Sequence, residues 1–169
     1  PSGLTWEQAG AFPMNYLTAL AGLQRRGRLR EGETVLVHGA AGGTGTAAVQ
    51  VAKALGARVF GVVSSDVKEA AAHAAGADEV FRSDGPWKDE VKEASGGGVD
   101  LVFDPVGGDR FTDSLRSLAP GHPDYKPAYW CLVSVGIATR NGKIAVEGLK
   151  AYEKAFDMEF DLDKLAAID

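Results

Sequence analysis

The chain has very little cysteine, only Cys131, which excludes an internal disulfide framework and any zinc site that draws four cysteines from one chain. It also has no apolar run near the ~20 residues a membrane helix requires, and Pro1–Thr5 lacks a signal-peptide pattern. A membrane partner is therefore not expected, and a cytoplasmic location is. Positive charge is short too: the formal net charge is −5, which argues against nucleic acid, whose phosphates are met by clustered Lys and Arg. The one basic run, Arg25, Arg26, Arg28 and Arg30, is broken by Gly27 and flanked by Glu31 and Glu33, and reads as solvated surface. No initiator methionine is present, as expected of an excised or processed piece.

What is present is the composition of an ordinary globular protein, 45% apolar and 24% charged over 169 residues. A chain of this size buries roughly 70% of its unfolded surface and needs no staples. From Glu33 to Val135 short β-rich runs alternate with helical patterns, the order that gives a parallel sheet covered on both faces. The expected strands are Val35–His38, Val59–Val63, Glu79–Phe81, Leu101–Asp104 and Cys131–Val135. Ala48, Val51, Ala52 and Leu55 recur at helical spacing and Gly56 supplies a stop, so a crossover helix joins the first two. Right-handed crossovers then wind the strands in the order 3-2-1-4-5, with the ligand crevice at the carboxyl ends of strands one and four. The fold class is α/β, a doubly wound parallel sheet (Rossmann fold) with helices on both faces. Residues 1–32 form a lead-in helix, Trp6–Leu23, ended by the charged turn Gln24–Glu33. Residues 33–148 form the Rossmann domain, with Gly142–Val146 as a further candidate edge strand, and residues 149–169 an acidic amphipathic tail.

The sharpest motif is Val35–Gly45, a strand that runs into a glycine-rich turn and then a helix. Glycine is needed where backbone must pass close to a pyrophosphate, and the free amides at the helix N-terminus then take the anion. Measured against G-x-G-x-x-G, Ala40 holds the first position and Gly42 and Gly45 the other two. Gly42, Gly43 and Thr44 are the expected pyrophosphate contacts through backbone N–H groups, and Gly45 the residue that permits close helix-to-strand packing. A tight turn before a buried helix would also select glycine; the strand–turn–helix order and the second strand favour the nucleotide.

The segment His38–Ala57 resembles the corresponding segment of zinc-independent quinone oxidoreductases and zeta-crystallin, in the medium-chain dehydrogenase/reductase superfamily. Leu17–Ala19, Ala75–Asp78 and Val99–Gly108 resemble, in order, that family's lead-in helix, third-strand approach and fourth strand with its loop, so the resemblance runs from about Phe12 to Gly136. It implies NADPH as cofactor, NADH being disfavoured because no acid stands at the second strand's end. Instead Ser64 and Ser65 are followed by Lys68, which matches a family lysine that contacts the 2′-phosphate. Arg82 stands near the family's phosphate-holding tyrosine and offers a guanidinium fork in its place. On the residues alone, Ser65 also reads as a helix cap, Asp66 as a complement to the helix dipole, and Lys68 as solvated surface. Val106 and Gly107 match residues near the nicotinamide ribose, and Val135 and Gly136 the end of the fifth strand, also assigned to the cofactor site.

The resemblance further implies a catalytic lobe that supplies the small-molecule substrate site, and this chain begins after such a lobe would end. No catalytic residue is assigned, and turnover by this piece alone is not expected. Zinc-dependent relatives take a metal-ligand cysteine from the lead-in helix, whereas Phe12–Thr18 has none and places Asn15 nearby, so no metal is expected. His38 reads as a satisfied core group, His73 and His122 have no partner at recognisable spacing, and Asp104 serves either the turn or the cofactor. The expected function is the NADPH-binding domain of an oxidoreductase that transfers hydride to a quinone or other conjugated carbonyl. The alternatives are an enoyl-thioester reductase domain or a non-catalytic nucleotide-binding scaffold module. A homodimer through an open sheet edge is expected as well. The segment His122–Trp130 departs from the family pattern, and the tail has no counterpart in it.

Overall fold

A computed structural model describes residues 3–107 and 110–119. The fifth strand at Cys131–Val135, Val135 and Gly136, the insertion 122–130, the edge strand Gly142–Val146 and the tail 149–169 lie outside the described residues.

The chain enters through α1 (Trp6–Leu20), whose start is fixed by a capping box: Gln8 N–H donates to the Thr5 hydroxyl and Thr5 N–H to the Gln8 amide oxygen. The expected stop at Leu23 does not occur. The helix continues as one π-helical segment, Ala21–Arg26, and brings Gly22 and Gly27 directly onto the sheet. A Cβ on Gly22 would lie 2.7 Å from the Phe103 ring, and one on Gly27 2.6 Å from Leu101, so the missing side chains permit the approach. Contact with β4, which a local pattern does not encode, outweighs the charge of the segment. Arg25, Arg26, Arg28 and Arg30 are all exposed, in keeping with a solvated surface.

Four parallel strands follow: β1 (Thr34–His38), β2 (Arg58–Val63), β3 (Glu79–Arg82) and β4 (Leu101–Phe103), in the order β3-β2-β1-β4. The expected order 3-2-1-4 is therefore observed for these four. Boundaries shift by one residue: β1 and β2 each begin one earlier, Arg82 belongs to β3 rather than following it, and Asp104 lies beyond β4. The crossover helices are α2 (Gly43–Ala54), α3 (Asp66–Ala75) and α4 (Trp87–Ser95), with α5 (Phe111–Arg116) after β4. Gly56, at φ 80°, ends the turn after α2 in the left-handed conformation that favours glycine.

Alternation along β1 divides the core. Val35 and Val37 point to one side, where Ala48 and Ala52 of α2, Ala72 of α3 and Leu23 pack. Leu36 points to the other and meets Phe60, Val62, Trp87 and Val91. Strands buried on both faces read as continuous apolar runs, as Val59–Val63 does. Each fully buried Val or Leu contributes about 1.5–3 kcal/mol. The α2 and α3 crossovers cover one face and α4 the other, so the winding reverses between β1 and β4. This reversal opens a crevice at the carboxyl ends of those strands. No described helix is long and apolar enough to cross a membrane.

Candidate functional site

The turn after β1 is held against β2 from below: Gly39 N–H donates to the Val62 carbonyl at 3.0 Å. Ala40 is fully buried, so the residue in the first glycine position faces the core rather than the crevice. Gly42 caps α2 with no side-chain hydrogen bond, and Thr46 N–H bonds its carbonyl; its own N–H donates to the Gly39 carbonyl at 2.8 Å, so Gly42, expected to offer its amide to the pyrophosphate, spends it on closing the turn instead. The amides of Gly43, Thr44 and Gly45 are in the first turn, where helix geometry leaves N–H groups without intrahelical partners. Gly43 is exposed, as a phosphate-facing residue must be.

Two neighbours refine the sequence reading of this loop. Gly45 is a packing residue, since a Cβ there would lie 2.0 Å from the Gly39 carbonyl oxygen. Asn15, which stands near the position of a zinc-ligand cysteine in metal-dependent relatives, instead accepts a hydrogen bond from the Thr44 hydroxyl at 3.1 Å. That bond ties α1 to the glycine loop and leaves the Thr44 amide for an anion.

At the ends of β2 and β3 the residues singled out in the sequence converge. Ser65 Oγ caps α3 by accepting from Lys68 N–H, and Lys68 Nζ donates to Ser64 Oγ at 2.9 Å. Arg82 pairs with Asp66, reaches the Ser64 carbonyl at 3.3 Å and contacts Asp84 at 3.4 Å. Its Nε is buried and unpartnered among the described residues. The capping role of Ser65 and the clustering of Ser64, Lys68 and Arg82 are thus found together. Sequence reasoning missed the pairing of Asp66 with Arg82, because residues 66 and 82 meet only through the β2–β3 register.

The third side of the crevice is the turn after β4. Asp104 Oδ1 accepts from the amides of Val106 at 2.9 Å and Gly107 at 2.8 Å, which is the turn-stabilising reading of this residue. Gly107 adopts φ 63°, and Val106 reaches over the loop after β1, its Cγ2 3.4 Å from where a Cβ of Gly39 would be. Asp104 Oδ2 accepts from Ser114 Oγ at 2.9 Å, and Ser114 Oγ lies 3.0 Å from His38 Nε2. His38 is buried against the edge of Trp87, and burial holds its pKa below the ordinary value, with Asp104 opposing and Arg110 reinforcing the shift. It is a satisfied core group. Ser114 was not legible as a site residue: it is an isolated hydroxyl on a short helix, ten residues from Asp104. His73 also has a local partner, its Nδ1 lying 3.1 Å from the Ala77 carbonyl.

These elements make a cradle of backbone amides at one end, hydroxyls and cations at another, and an apolar lip at Val106. The chemistry of that donor set fits a dinucleotide with a phosphorylated ribose. No group of three or more metal-type side chains converges among the described residues.

Residues 43–122 match the zinc-binding dehydrogenase family. The chain is 43% identical over 122 residues to mouse quinone oxidoreductase-like protein 2, covering 70% of this chain and 35% of that protein. It is 44% identical over 122 residues to the spectinabilin polyketide synthase system protein NorB of Streptomyces orinoci, covering 72% of this chain and 6% of NorB. Among solved structures, it resembles a mycobacterial protein complexed with NADPH, with a TM-score of 0.65 at 39% identity over 70% of this chain and 37% of that one. It also resembles the CurK enoyl reductase, with a TM-score of 0.67 at 34% identity over 71% and 36%. The chain thus spans about a third or less of each of these proteins.

Proposed function

Because the chain belongs to the zinc-binding dehydrogenase family, as a cofactor domain of the medium-chain dehydrogenase/reductase superfamily with quinone oxidoreductase relatives, we propose that it binds NADPH and presents hydride to a quinone or other conjugated carbonyl. The observation that carries this reading is the division of the crevice: uncapped amides of Gly43 and Thr44 for the pyrophosphate, and Ser64, Ser65, Lys68 and Arg82 for the 2′-phosphate. Ala40 supports the turn from beneath, and Val106 and Gly107 stand at the proposed nicotinamide end. When bound, NADPH supplies the hydride. The protein's share is to fix the dinucleotide, and the preference over NADH comes from charge-assisted hydrogen bonds to the phosphate.

We place the substrate on a separate catalytic lobe, for which α1 offers a surface: Trp6, Phe12, Met14 and Leu17 are all exposed. We place the protein in the cytoplasm and expect a homodimer, which sedimentation at micromolar concentration tests; a monomer would reject it. Nucleic acid and membrane are not among the proposed partners. Calorimetric titration with NADPH and NADH tests the cofactor reading, and equal affinity for both, or for neither, overturns it.

The likeness to the CurK enoyl reductase and the polyketide synthase relative favours a second reading, reduction of an enoyl thioester. Both reactions deliver hydride to a conjugated acceptor, so the domain's task is the same. Assays of the domain joined to a catalytic lobe, with a quinone and with an enoyl thioester, separate them; NADPH binding without turnover on either favours a scaffold role.

A further inference from the structure

The hydrogen-bond chain His38–Ser114–Asp104 joins the two strands whose ends bound the crevice. All three side chains are buried, with relative exposures of 1%, 1% and 9%. Its direction follows from the inventory of protons. Asp104 Oδ1 accepts from the amides of Val106 and Gly107, and Oδ2, at 2.9 Å, accepts the hydroxyl proton of Ser114. The Arg110 carbonyl, at 3.2 Å, is the longer alternative for that proton. With its hydrogen committed, Ser114 Oγ accepts from His38, and the imidazole must therefore carry its proton on Nε2, 3.0 Å away. The order is wrong for nucleophilic catalysis: serine sits between the other two and gives its proton to the carboxylate, with no base to activate it.

We propose that Ser114 is a positioning residue for the cofactor: it locks His38 as the Nε2–H tautomer and, through Asp104, holds the Asp104–Gly107 turn over the glycine loop so that Val106 and Gly107 meet the nicotinamide half. This rests on reading the crevice as the NADPH site. His38 ends β1 immediately before Gly39, and Asp104 follows β4 immediately, so one hydroxyl fixes the spacing of the two loops. The adenosine end, built from Ser64, Lys68 and Arg82, has no bond to this relay among those described.

The test uses the full chain. Calorimetry with NADPH and with 2′,5′-ADP, which carries only the phosphorylated adenosine half, is run on the parent protein and on Ser114→Ala. Loss of one hydrogen bond to a charged group predicts NADPH binding about fivefold or more weaker, with 2′,5′-ADP unchanged. Unchanged NADPH affinity, or equal loss for both ligands, overturns the proposal. If Ser114→Ala does not fold, the long-range 15N–1H spectrum of His38 in the parent protein still decides: a protonated Nε2 is expected, and a bare one overturns the relay. Failure of the parent to bind NADPH while its Nε2 is protonated sinks the cofactor reading and, with it, Ser114's role toward this ligand, leaving a purely structural relay.

Discussion

The methyl group of Ala40 fills the space that Gly61 leaves empty on β2: a Cβ built on Gly61 would lie 3.0 Å from that of Ala40. The alanine that replaces the first glycine of the nucleotide loop thus has its room supplied by a glycine on the neighbouring strand. Gly61→Ala is expected to destabilise the fold by about 1–3 kcal/mol through overpacking. Ala40→Gly in the same chain should recover part of that, a coupling that urea unfolding of the two single variants and the double variant measures. Additive effects would mean that the two positions do not share this space.

The glycines of the loop should separate into structural and ligand-facing classes. Gly45→Ala forces a side chain into the Gly39 carbonyl, 2.0 Å away and on rigid backbone, so a large drop in thermal midpoint is expected. The nearest neighbour of a Cβ on Gly43 is the flexible Asn15 side chain, 3.1 Å away, rather than rigid backbone. Gly43→Val should keep a parent-like circular dichroism melt while losing NADPH binding by calorimetry. A folded variant with retained affinity would reduce the loop to a turn.

Asp66 is paired with Arg82 although its own side chain is 92% exposed, so under the proposed reading it would compete with a 2′-phosphate for that guanidinium. Asp66→Asn should therefore strengthen NADPH binding and leave NADH nearly unchanged. Lys68→Ala should act in the opposite direction, weakening NADPH by about tenfold. Both effects should shrink in high salt, because screening over about 10 Å at 0.1 M weakens exposed charge pairs. Insensitivity to salt would assign Lys68 to packing instead.

His38 makes stability depend on pH in a definite direction. Burial lowers its folded pKa from the ordinary value of 6.5, so below 6.5 the unfolded chain takes up a proton that the folded chain resists. The stabilisation associated with neutral His38 is complete above pH 6.5 and is lost as pH falls toward the folded value. Subtracting the unfolding free energy of His38→Gln from that of the parent at each pH isolates this from the carboxylates. The difference should decline below pH 6.5; a flat difference would show that His38 titrates normally.

The sheet was legible because its signals are local. Val35–His38 and Val59–Val63 are apolar runs bounded by turn residues, and the boundaries of the four described strands lie within one residue of their expected places. The strand–turn–helix form of the glycine loop was legible because its glycines are closely spaced and follow an apolar strand. What escaped were relations between residues far apart in sequence: Asp66 with Arg82, Asn15 with Thr44, and the hydroxyl of Ser114 between two strand ends. The π-helical run over Ala21–Arg26 escaped for the same reason, since its cause is contact with Phe103 and Leu101.

The position of β4 beside β1 also sets an order of assembly. β1 pairs with β2 across a short α2 crossover, while Thr34 N–H reaches Asp100 Oδ2 across 66 residues of chain. Closing the longer loop costs about 1 kcal/mol more in entropy, and the β1–β4 pairing is the less local of the two, so β4 is expected to dock after β1 and β2 have paired. A ribosome delivers β1, β2 and β3 before β4, so the nascent sheet carries an open flank until Leu101–Phe103 arrives. Pulsed hydrogen exchange should then protect the amides of Val59–Val63 before those of Leu101–Phe103. The nucleotide crevice, bounded by β1 and β4, would be the last part of the described sheet to exist, and a dinucleotide would capture the chain only after that strand has closed.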